Sequence, residues 1–171
     1  WRLFFTSHVR GEESFSYILG RTLMRPRELL RFVRDCINVA VNRRHEQVGE
    51  DDILHAERSY SDDALVDLSL ELKDVRPDFA NAPYGFIGSQ THLPTSEVGI
   101  GLLKAGIPAD QLEQVRELLL WFGFLGIYVY PDEERYSYQF EHNLRKMKSG
   151  MDQFTYCVHP AFRQCLGCVT S

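Results

Sequence analysis

The sequence predicts a mainly α fold with a small β-hairpin, because three patterns follow one another along the chain. Apolar residues recur at helical spacing over roughly the first 75 residues. Two further helical stretches then flank a proline-containing turn, and two β-rich runs surround the polar stretch PDEE. We therefore expect two domains. Residues 1–75 are predicted to form an all-helical bundle, and residues 76–171 a second domain of helices and a β-hairpin.

The predicted bundle begins with a short helix over residues 13–23 and a second helix that starts at Pro26, since proline fits the first turn of a helix. The second helix is expected to end in the polar stretch NRRHEQVG. Acidic residues open a third helix, GEDDILHAERSY, and Ser61 is expected to cap a fourth, DDALVDLSLELKDV. Helical spacing predicts that the buried face of the second helix consists of Leu29, Val33, Cys36, Ile37 and Ala40.

The second domain is predicted to begin near Pro77, where PDFANAPYGFIG is expected to form a short helix or turn and SQTHLP a polar connector. Thr95 and Ser96 are expected to cap the helix EVGIGLLKAG, and Pro108 to open the helix ADQLEQVRELLLWFGF. The runs FLGIYVY and RYSYQFEH predict a hairpin around PDEE. Helix, helix and hairpin follow one another as in a winged helix-turn-helix, so residues 76–171 are predicted to form a winged-helix-like domain.

Composition is that of a folded cytoplasmic protein. Hydrophobic residues make up 44% and charged residues 25% of the 171 residues, which is typical of globular domains. The apolar run LLLWFGFLGIYVY is shorter than the roughly 20 residues of a membrane span, so no membrane association is expected. Four cysteines are too few for a disulfide scaffold, which favours a reducing compartment. The chain begins WRLFF, without an initiator methionine or a signal-peptide pattern, and we expect a fragment of a longer protein.

Charge is divided unevenly along the chain. Residues 1–50 carry a formal charge of +3, whereas residues 51–171 carry −8. Five arginines lie between Arg21 and Arg34. At about 100° per residue, Arg27, Arg31 and Arg34 would share a helix face opposite the predicted apolar stripe. This face is either an ordinary solvated surface or a phosphate-binding one, which arginine suits because its planar guanidinium donates two parallel hydrogen bonds.

The stretch RTLMRPRELLRFVRDCINVA resembles the sensor-2 segment of AAA-type ATPases, especially origin-recognition-like and STAND-like bacterial ATPases. The stretches ILHAERSYSDDALVDLSLE and YCVHPAFRQCLG are similar to the C-terminal region of bacterial P-loop ATPases. The resemblance implies that residues 1–75 form a lid-like bundle in which Arg27, or as second choice Arg25, reaches the γ-phosphate of ATP. It also implies that an N-terminal P-loop domain of the parent protein binds ATP and magnesium.

The chain itself contains no G-x-x-x-x-G-K-[ST] motif, so it is not expected to hydrolyse ATP alone, and no catalytic residue is predicted. The histidines are scattered, and neither G-x-S-x-G nor H-E-x-x-H occurs. The favoured interpretation is a regulatory C-terminal fragment of a bacterial P-loop ATPase, with a nucleotide-sensing lid and a winged helix that contacts a protein partner or another subunit. The fragment itself is expected to hold no cofactor.

The alternative function is that of a stand-alone winged-helix DNA-binding regulator. Phosphate neutralisation dominates DNA binding, and here acidic residues outnumber basic ones on both surfaces that would meet DNA. The second helix carries Asp110, Glu113 and Glu117 against Arg116, and the wing turn carries Asp132, Glu133 and Glu134 against Arg135. The basic tract NLRKMKSG is the local feature that favours nucleic acid. A salt-dependent mobility shift with duplex DNA would distinguish the two interpretations.

A third interpretation is a zinc-stapled interaction module. Its ligands would be Cys157, His159, Cys165 and Cys168, because C-x-x-C is the spacing of a zinc half-site. Against this, the dipeptide His159-Pro160 is typical of a helix start, and a buried cysteine behaves as a small hydrophobic residue. No metal site is therefore predicted.

Overall fold

The computed structural model describes residues 1–129, 133–139 and 154–169. The chain divides into two compact units, Trp1–Asp63 and Ala64–Ser171. Helices dominate both units, and the remaining regular structure is a few short strands, which confirms the mainly α fold class. The predicted domain boundary after residue 75 stays a prediction.

The first unit opens with a hairpin of β1 (His8–Val9) and β2 (Glu12–Glu13), which leads directly into α1 (Ser14–Leu19). The Glu13 side chain caps α1 by accepting the N–H of Ser16 at 2.8 Å. The helix is shorter than the predicted 13–23. The Thr22 hydroxyl donates to Leu19 O at 2.8 Å, and this local bond gives the backbone an alternative to a further helical turn.

Helix α2 (Pro26–Asn42) begins at the proline and ends at the polar stretch, both as predicted. Its buried residues are spaced by four and comprise Glu28, Phe32, Cys36 and Ala40. Leu29 and Val33 are half-buried, but the prediction for Ile37 was wrong, because this side chain is exposed. The helix is oriented by Phe32, which stacks on Tyr60 with ring centroids 4.6 Å apart, and this contact turns Ile37 outward.

Helix α3 (Glu50–Val75) is a single element of 26 residues. The predicted break at Ser61 was therefore wrong. Ser61 lies in the interior of α3 and is fully buried, so it does not cap a helix. Neither proline nor glycine interrupts the stretch, and one buried stripe continues through it, which favours a continuous helix. The stripe consists of Ile53, Ala56, Tyr60, Ala64, Leu68 and Leu72.

The connection between α2 and α3 is anchored by the fully buried carboxylate of Asp52. One of its oxygens accepts the N–H of Gly49 at 3.0 Å and the Nδ1–H of His45 at 2.8 Å. The other accepts from Arg43 at 3.0 Å. Burial opposes ionisation of Asp52, but these hydrogen bonds outweigh it and hold its pKa below the ordinary value. The carboxylate thus caps α3 and fixes the end of α2.

The second unit continues with two 3-10 turns, Pro77–Phe79 and Ala82–Phe86, where a short helix or turn was predicted. The predicted polar connector instead contains a strand, β3 (His92–Pro94). Helix α4 (Thr95–Lys104) follows at once. The predicted cap by Thr95 and Ser96 was wrong, because Pro94 occupies the N-cap position and the Thr95 hydroxyl donates to Phe154 O at 3.3 Å.

A 3-10 turn, Ala109–Gln111, follows Pro108 and leads into α5 (Leu112–Trp121). The apolar side chains of α5 and of the strand that follows it supply much of the core of this unit. Phe124 is central, with its ring centroid 5.3 Å from that of Phe86 and 5.1 Å from that of Phe162. No helix in the described part of the chain is long and apolar enough to cross a membrane.

A four-stranded antiparallel sheet completes the second unit in the order β3-β6-β4-β5. The predicted hairpin is confirmed as β4 (Leu125–Val129) and β5 (Glu133–Arg135), with Val129 opposite Glu133. A 3-10 turn, Ser137–Gln139, ends the second run early, and residues 140–142 of that predicted run lie outside the described residues. Strand β6 (Thr155–Val158) lies between β3 and β4 and leads into α6 (Pro160–Leu166).

Candidate functional site

The turn between α1 and α2 places the arginine cluster at the start of a long helix. Leu23 and Met24 have φ values of 51° and 54°, a left-handed conformation that non-glycine residues adopt infrequently. The backbone N–H of Arg25 closes the turn by donating to Thr22 O at 2.9 Å. Arg25 is consequently the N-cap residue of α2, and Arg27 is the second residue of the helix.

Arg21 is held inside the helical unit. Its Nε–H donates to Glu57 at 2.7 Å, and its guanidinium carbon lies 3.4 Å from the centroid of the Tyr17 ring. The Tyr17 hydroxyl donates to the other carboxylate oxygen of Glu57 at 2.6 Å, and burial raises the pKa of Tyr17 well above its ordinary value. Because the side chains of Arg21 and Glu57 are only 17% and 9% exposed, this arginine stabilises the fold and does not face a ligand.

Arg31 and Arg34 are both engaged with aspartates. The Nη2 atom of Arg31 donates to Asp63 at 2.6 Å, and its side chain is only 26% exposed. Arg34 pairs with Asp35, its neighbour in sequence, at 3.1 Å. The predicted face of three arginines is therefore divided, because Arg31 contacts α3 whereas Arg27 and Arg34 extend into solvent.

Arg27 has the most exposed side chain of the cluster, at 84%. Its Nε lies 3.5 Å from the carboxylate of Glu28, whose own side chain is 9% exposed. Arg25 is half-buried at the N-cap. A guanidinium in the first turn of a 17-residue helix, at the positive end of the helix dipole, is well placed to attract an anion. The phosphate-contacting roles of Arg27 and Arg25 stay predictions.

The outer surface of α5 is acidic. Glu113 and, in the turn before the helix, Asp110 are exposed. Arg116, the cation of this helix, is only 9% exposed, and its guanidinium carbon lies 5.9 Å from the Tyr156 ring centroid. The helix therefore presents carboxylates to solvent and directs its guanidinium inward. Asp132 and the basic tract at 143–150 lie outside the described residues.

A charged cluster that the sequence did not indicate joins β5 to α6. The carboxylate of Glu134 accepts from Arg163 Nη2 at 2.6 Å, from the Tyr136 hydroxyl at 2.7 Å and from His92 Nε2 at 2.9 Å. Arg163 also donates through Nε to Val158 O at 2.7 Å. His92 in β3 and Arg163 in α6 are 42 and 29 residues from Glu134, so no local motif could have revealed the cluster.

Electrostatics keep Glu134 ionised. Burial opposes ionisation, but the charge of Arg163 and the hydrogen bonds from Tyr136, Arg163 and His92 outweigh it and hold the pKa of Glu134 below its ordinary value. Burial raises the pKa of Tyr136 far above its ordinary range, so its hydroxyl stays a donor. The cluster therefore ties the β5 segment to the rest of the sheet and to α6, and it is structural in character.

The Glu134 cluster predicts a stability that depends on pH. A carboxylate whose folded-state pKa is depressed contributes stability above its unfolded pKa, about 4.3 for glutamate, and loses it as pH falls through the folded-state pKa. We expect Glu134→Gln to lower the free energy of unfolding by about 1–3 kcal/mol at neutral pH and by progressively less below pH 4. Urea denaturation at a series of pH values measures this. Glu113→Gln, on the exposed face of α5, controls for the loss of one negative charge; an equal effect of both substitutions would contradict the prediction.

Three of the four residues of the zinc hypothesis, His159, Cys165 and Cys168, make hydrogen-bond contacts with other residues. The Nδ1 atom of His159 accepts the N–H of Ala161 at 3.1 Å and thereby caps α6, so its Nε2–H faces the Tyr138 hydroxyl at 3.0 Å. The thiol of Cys165 donates to Phe162 O at 3.2 Å. Burial raises the pKa of Cys157 to about 12. Within residues 1–129, 133–139 and 154–169, no three His, Cys, Asp or Glu side chains are grouped so as to hold a metal ion.

The helical first unit has a match among known protein families. Residues 1–69 match the family model of the FunZ-associated C-terminal helical domain. The match covers α1, α2 and most of α3, including the whole arginine cluster. It extends to neither the acidic surface of α5 nor the Glu134 cluster. No curated protein and no solved structure matches the chain.

The family description agrees with the prediction of a C-terminal region that begins with a helical unit, because it describes a C-terminal helical domain. It mentions neither a P-loop ATPase nor a winged helix. The ATPase parent, the sensing arginine and the winged-helix assignment stay predictions.

Proposed function

We propose that this chain is the regulatory C-terminal part of a cytoplasmic bacterial P-loop ATPase. In this proposal its helical unit senses the nucleotide that the N-terminal P-loop domain of the same protein binds with magnesium. Its second unit, a winged helix, passes that state to a protein partner or a neighbouring subunit. The match of residues 1–69 to a C-terminal helical domain supports the position of the chain within a larger protein.

The exposure of Arg27 is the observation that carries the sensing role. Of the five arginines, Arg21 and Arg31 are largely buried in ion pairs, whereas Arg27 extends from the first turn of α2 with an 84% exposed side chain. A guanidinium in this position can donate two parallel hydrogen bonds to two oxygens of one phosphate group. A single arginine offers too few contacts to hold a nucleotide, so binding and hydrolysis would require the P-loop domain.

The sensing mechanism is a population shift. When a γ-phosphate is within reach, its attraction to Arg27 favours the lid orientation in which the two are in contact. After hydrolysis that attraction is lost, and the equilibrium returns toward the other orientation. The rigid element that would transmit the change is α2, since its buried stripe and the Arg31–Asp63 ion pair fix it to α3.

The winged-helix assignment rests on topology. The strand β3 precedes two helices, α4 and α5, and the sheet order β3-β6-β4 places the last strand between the first two. A protein contact is favoured over DNA for this unit because Glu113 on α5 and Asp110 in the turn before it are exposed, while Arg116 is buried. An acidic helix repels phosphate groups, and DNA binding depends on neutralising them.

Substitution of Arg27 tests the sensing role in the full-length protein. We expect Arg27→Ala to reduce ATP hydrolysis by about tenfold to a hundredfold, which corresponds to one lost charge-assisted hydrogen bond, and to weaken ATP-dependent assembly. Arg34→Ala is the matched control, because Arg34 is also exposed on α2 but lies two turns further along the helix. Unchanged ATP hydrolysis in Arg27→Ala, or an equal loss of hydrolysis in both variants, would show that Arg27 is not a sensor.

A further inference from the structure

Helix α2 exposes apolar side chains on its outer side. We call this surface the α2 face; it consists of Leu30, Arg34, Ile37 and Val41. At about 100° per residue these side chains fall within about 60° of one another around the helix. The exposed fractions of Leu30, Ile37 and Val41 are 71%, 41% and 65%. Three exposed aliphatic side chains on one helix face are more than a solvated surface requires.

The α2 face is basic at its edges. The Arg34 side chain is 66% exposed and that of Arg27, at the N-terminal edge of the face, is 84% exposed. The acidic residues of the same helix are less accessible, since the side chains of Glu28 and Asp35 are 9% and 23% exposed. A surface that packs against this face would therefore combine apolar and acidic side chains.

The second half of α3 has that combination. We call this surface the α3 face; it consists of Asp62, Val66, Leu70 and Asp74, which are spaced by four residues along the helix. Val66 and Leu70 are 51% and 53% exposed, and both aspartates are exposed. Lys73 and, one turn before Asp62, Arg58 are exposed cations beside them. The α3 face thus has two exposed aliphatic residues between carboxylates.

We propose that the α2 face of one chain packs against the α3 face of a second copy. The two faces agree in kind, because each is a helix surface with exposed aliphatic side chains, and they differ in the sign of their edge charges. Apolar contact would supply the affinity, and opposite edge charges would favour this pairing over contact between two α2 faces or two α3 faces.

Such a contact joins two different surfaces, so it is heterologous. After two copies pair, the dimer would retain one unpaired α2 face and one unpaired α3 face, and further copies would add head to tail or close into a ring. Because each face offers only two or three aliphatic side chains, we expect association that is weak and depends on protein concentration.

Three leucines, each at least half exposed, provide a test with a control. Leu30 lies on the α2 face, Leu70 lies on the α3 face, and Leu103, which is 50% exposed on α4, lies on neither. Sedimentation equilibrium of the wild-type chain should give an average mass that rises with concentration above the 19.8 kDa of one chain. Leu30→Gln and Leu70→Gln should each weaken association by about tenfold, whereas Leu103→Gln should behave as the wild type does.

Mixing the two variants tests the head-to-tail arrangement. In an equal mixture, the intact α2 face of Leu70→Gln can pack against the intact α3 face of Leu30→Gln, so the mixture should form dimers that do not grow further. Circular dichroism verifies that each variant is folded, since glutamine is compatible with a helix. The proposal is overturned if the wild type stays monomeric, if either variant associates as strongly as the wild type, or if the mixture stays monomeric at concentrations where the wild type associates.

Discussion

Replacement of Glu57 by alanine is expected to lower the free energy of unfolding of the first unit by about 3–5 kcal/mol, the usual effect of breaking a buried ion pair. The substitution leaves the Arg21 guanidinium, which is only 17% exposed, without its carboxylate. It also removes the acceptor of the Tyr17 hydroxyl, and Tyr17 is 1% exposed. Urea denaturation followed by the fluorescence of Trp1, in a chain that carries Trp121→Phe, reports on this unit.

Two further variants define the cause of the Glu57 effect. Glu57→Gln retains an acceptor for Tyr17 but removes the charge. We therefore expect it to lower the free energy of unfolding, but by less than Glu57→Ala does. Asp63→Ala breaks the more exposed ion pair with Arg31 and should lower the free energy of unfolding by about 1 kcal/mol or less. If Glu57→Ala has no larger effect than Asp63→Ala, the buried cluster does not stabilise the unit as we infer.

Replacement of Gly85 by alanine is expected to destabilise the second unit by about 3 kcal/mol or more, at the upper end of overpacking effects. A β-carbon at Gly85 would lie 2.0 Å from the carbonyl oxygen of Gly101 in α4. Both atoms are bound rigidly to the backbone, so either the turn Ala82–Phe86 or helix α4 must move. Thermal denaturation monitored by far-ultraviolet circular dichroism measures the loss.

Gly99 provides the control for the Gly85 substitution. It also lies in α4, but the nearest atom to an added β-carbon is Leu112 Cδ1 at 4.0 Å. Alanine is favoured over glycine inside a helix, so Gly99→Ala should stabilise the unit by about 0.5–1 kcal/mol. A Gly85→Ala variant as stable as the wild type would show that the turn and α4 can separate at little cost.

Local signals predicted the elements that depend on neighbouring residues. Pro26 started α2 as expected, since its missing N–H and fixed φ suit a first helical turn. Strands β4 and β5 pair as the predicted hairpin, with Val129 opposite Glu133. The predictions at Ile37 and Ser61 failed because each required knowledge of a partner element. The Phe32–Tyr60 stack orients α2, and the buried stripe of α3 continues through Ser61.

The arginine cluster shows the same division between what neighbouring residues predict and what distant contacts decide. The sequence alone singled out the arginines between Arg21 and Arg34, because charge density and helical spacing are visible in a linear chain. It did not distinguish among them. The ion pairs of Arg21 with Glu57 and of Arg31 with Asp63 join residues 36 and 32 positions apart. Only after those pairs are known are Arg21 and Arg31 separated from the solvent-exposed Arg27 and Arg34.

The sequence by itself determined the mainly α class, the start of α2, the hairpin and the uneven charge, because each follows from residues within a few positions of one another. The tertiary structure alone decided which arginines face solvent, which strands lie at the centre of the sheet and how Glu134 is held. These depend on contacts such as His92 opposite Cys157 and Glu134 beside Arg163. Such contacts form only when folding brings distant segments together to bury apolar surface and satisfy polar groups.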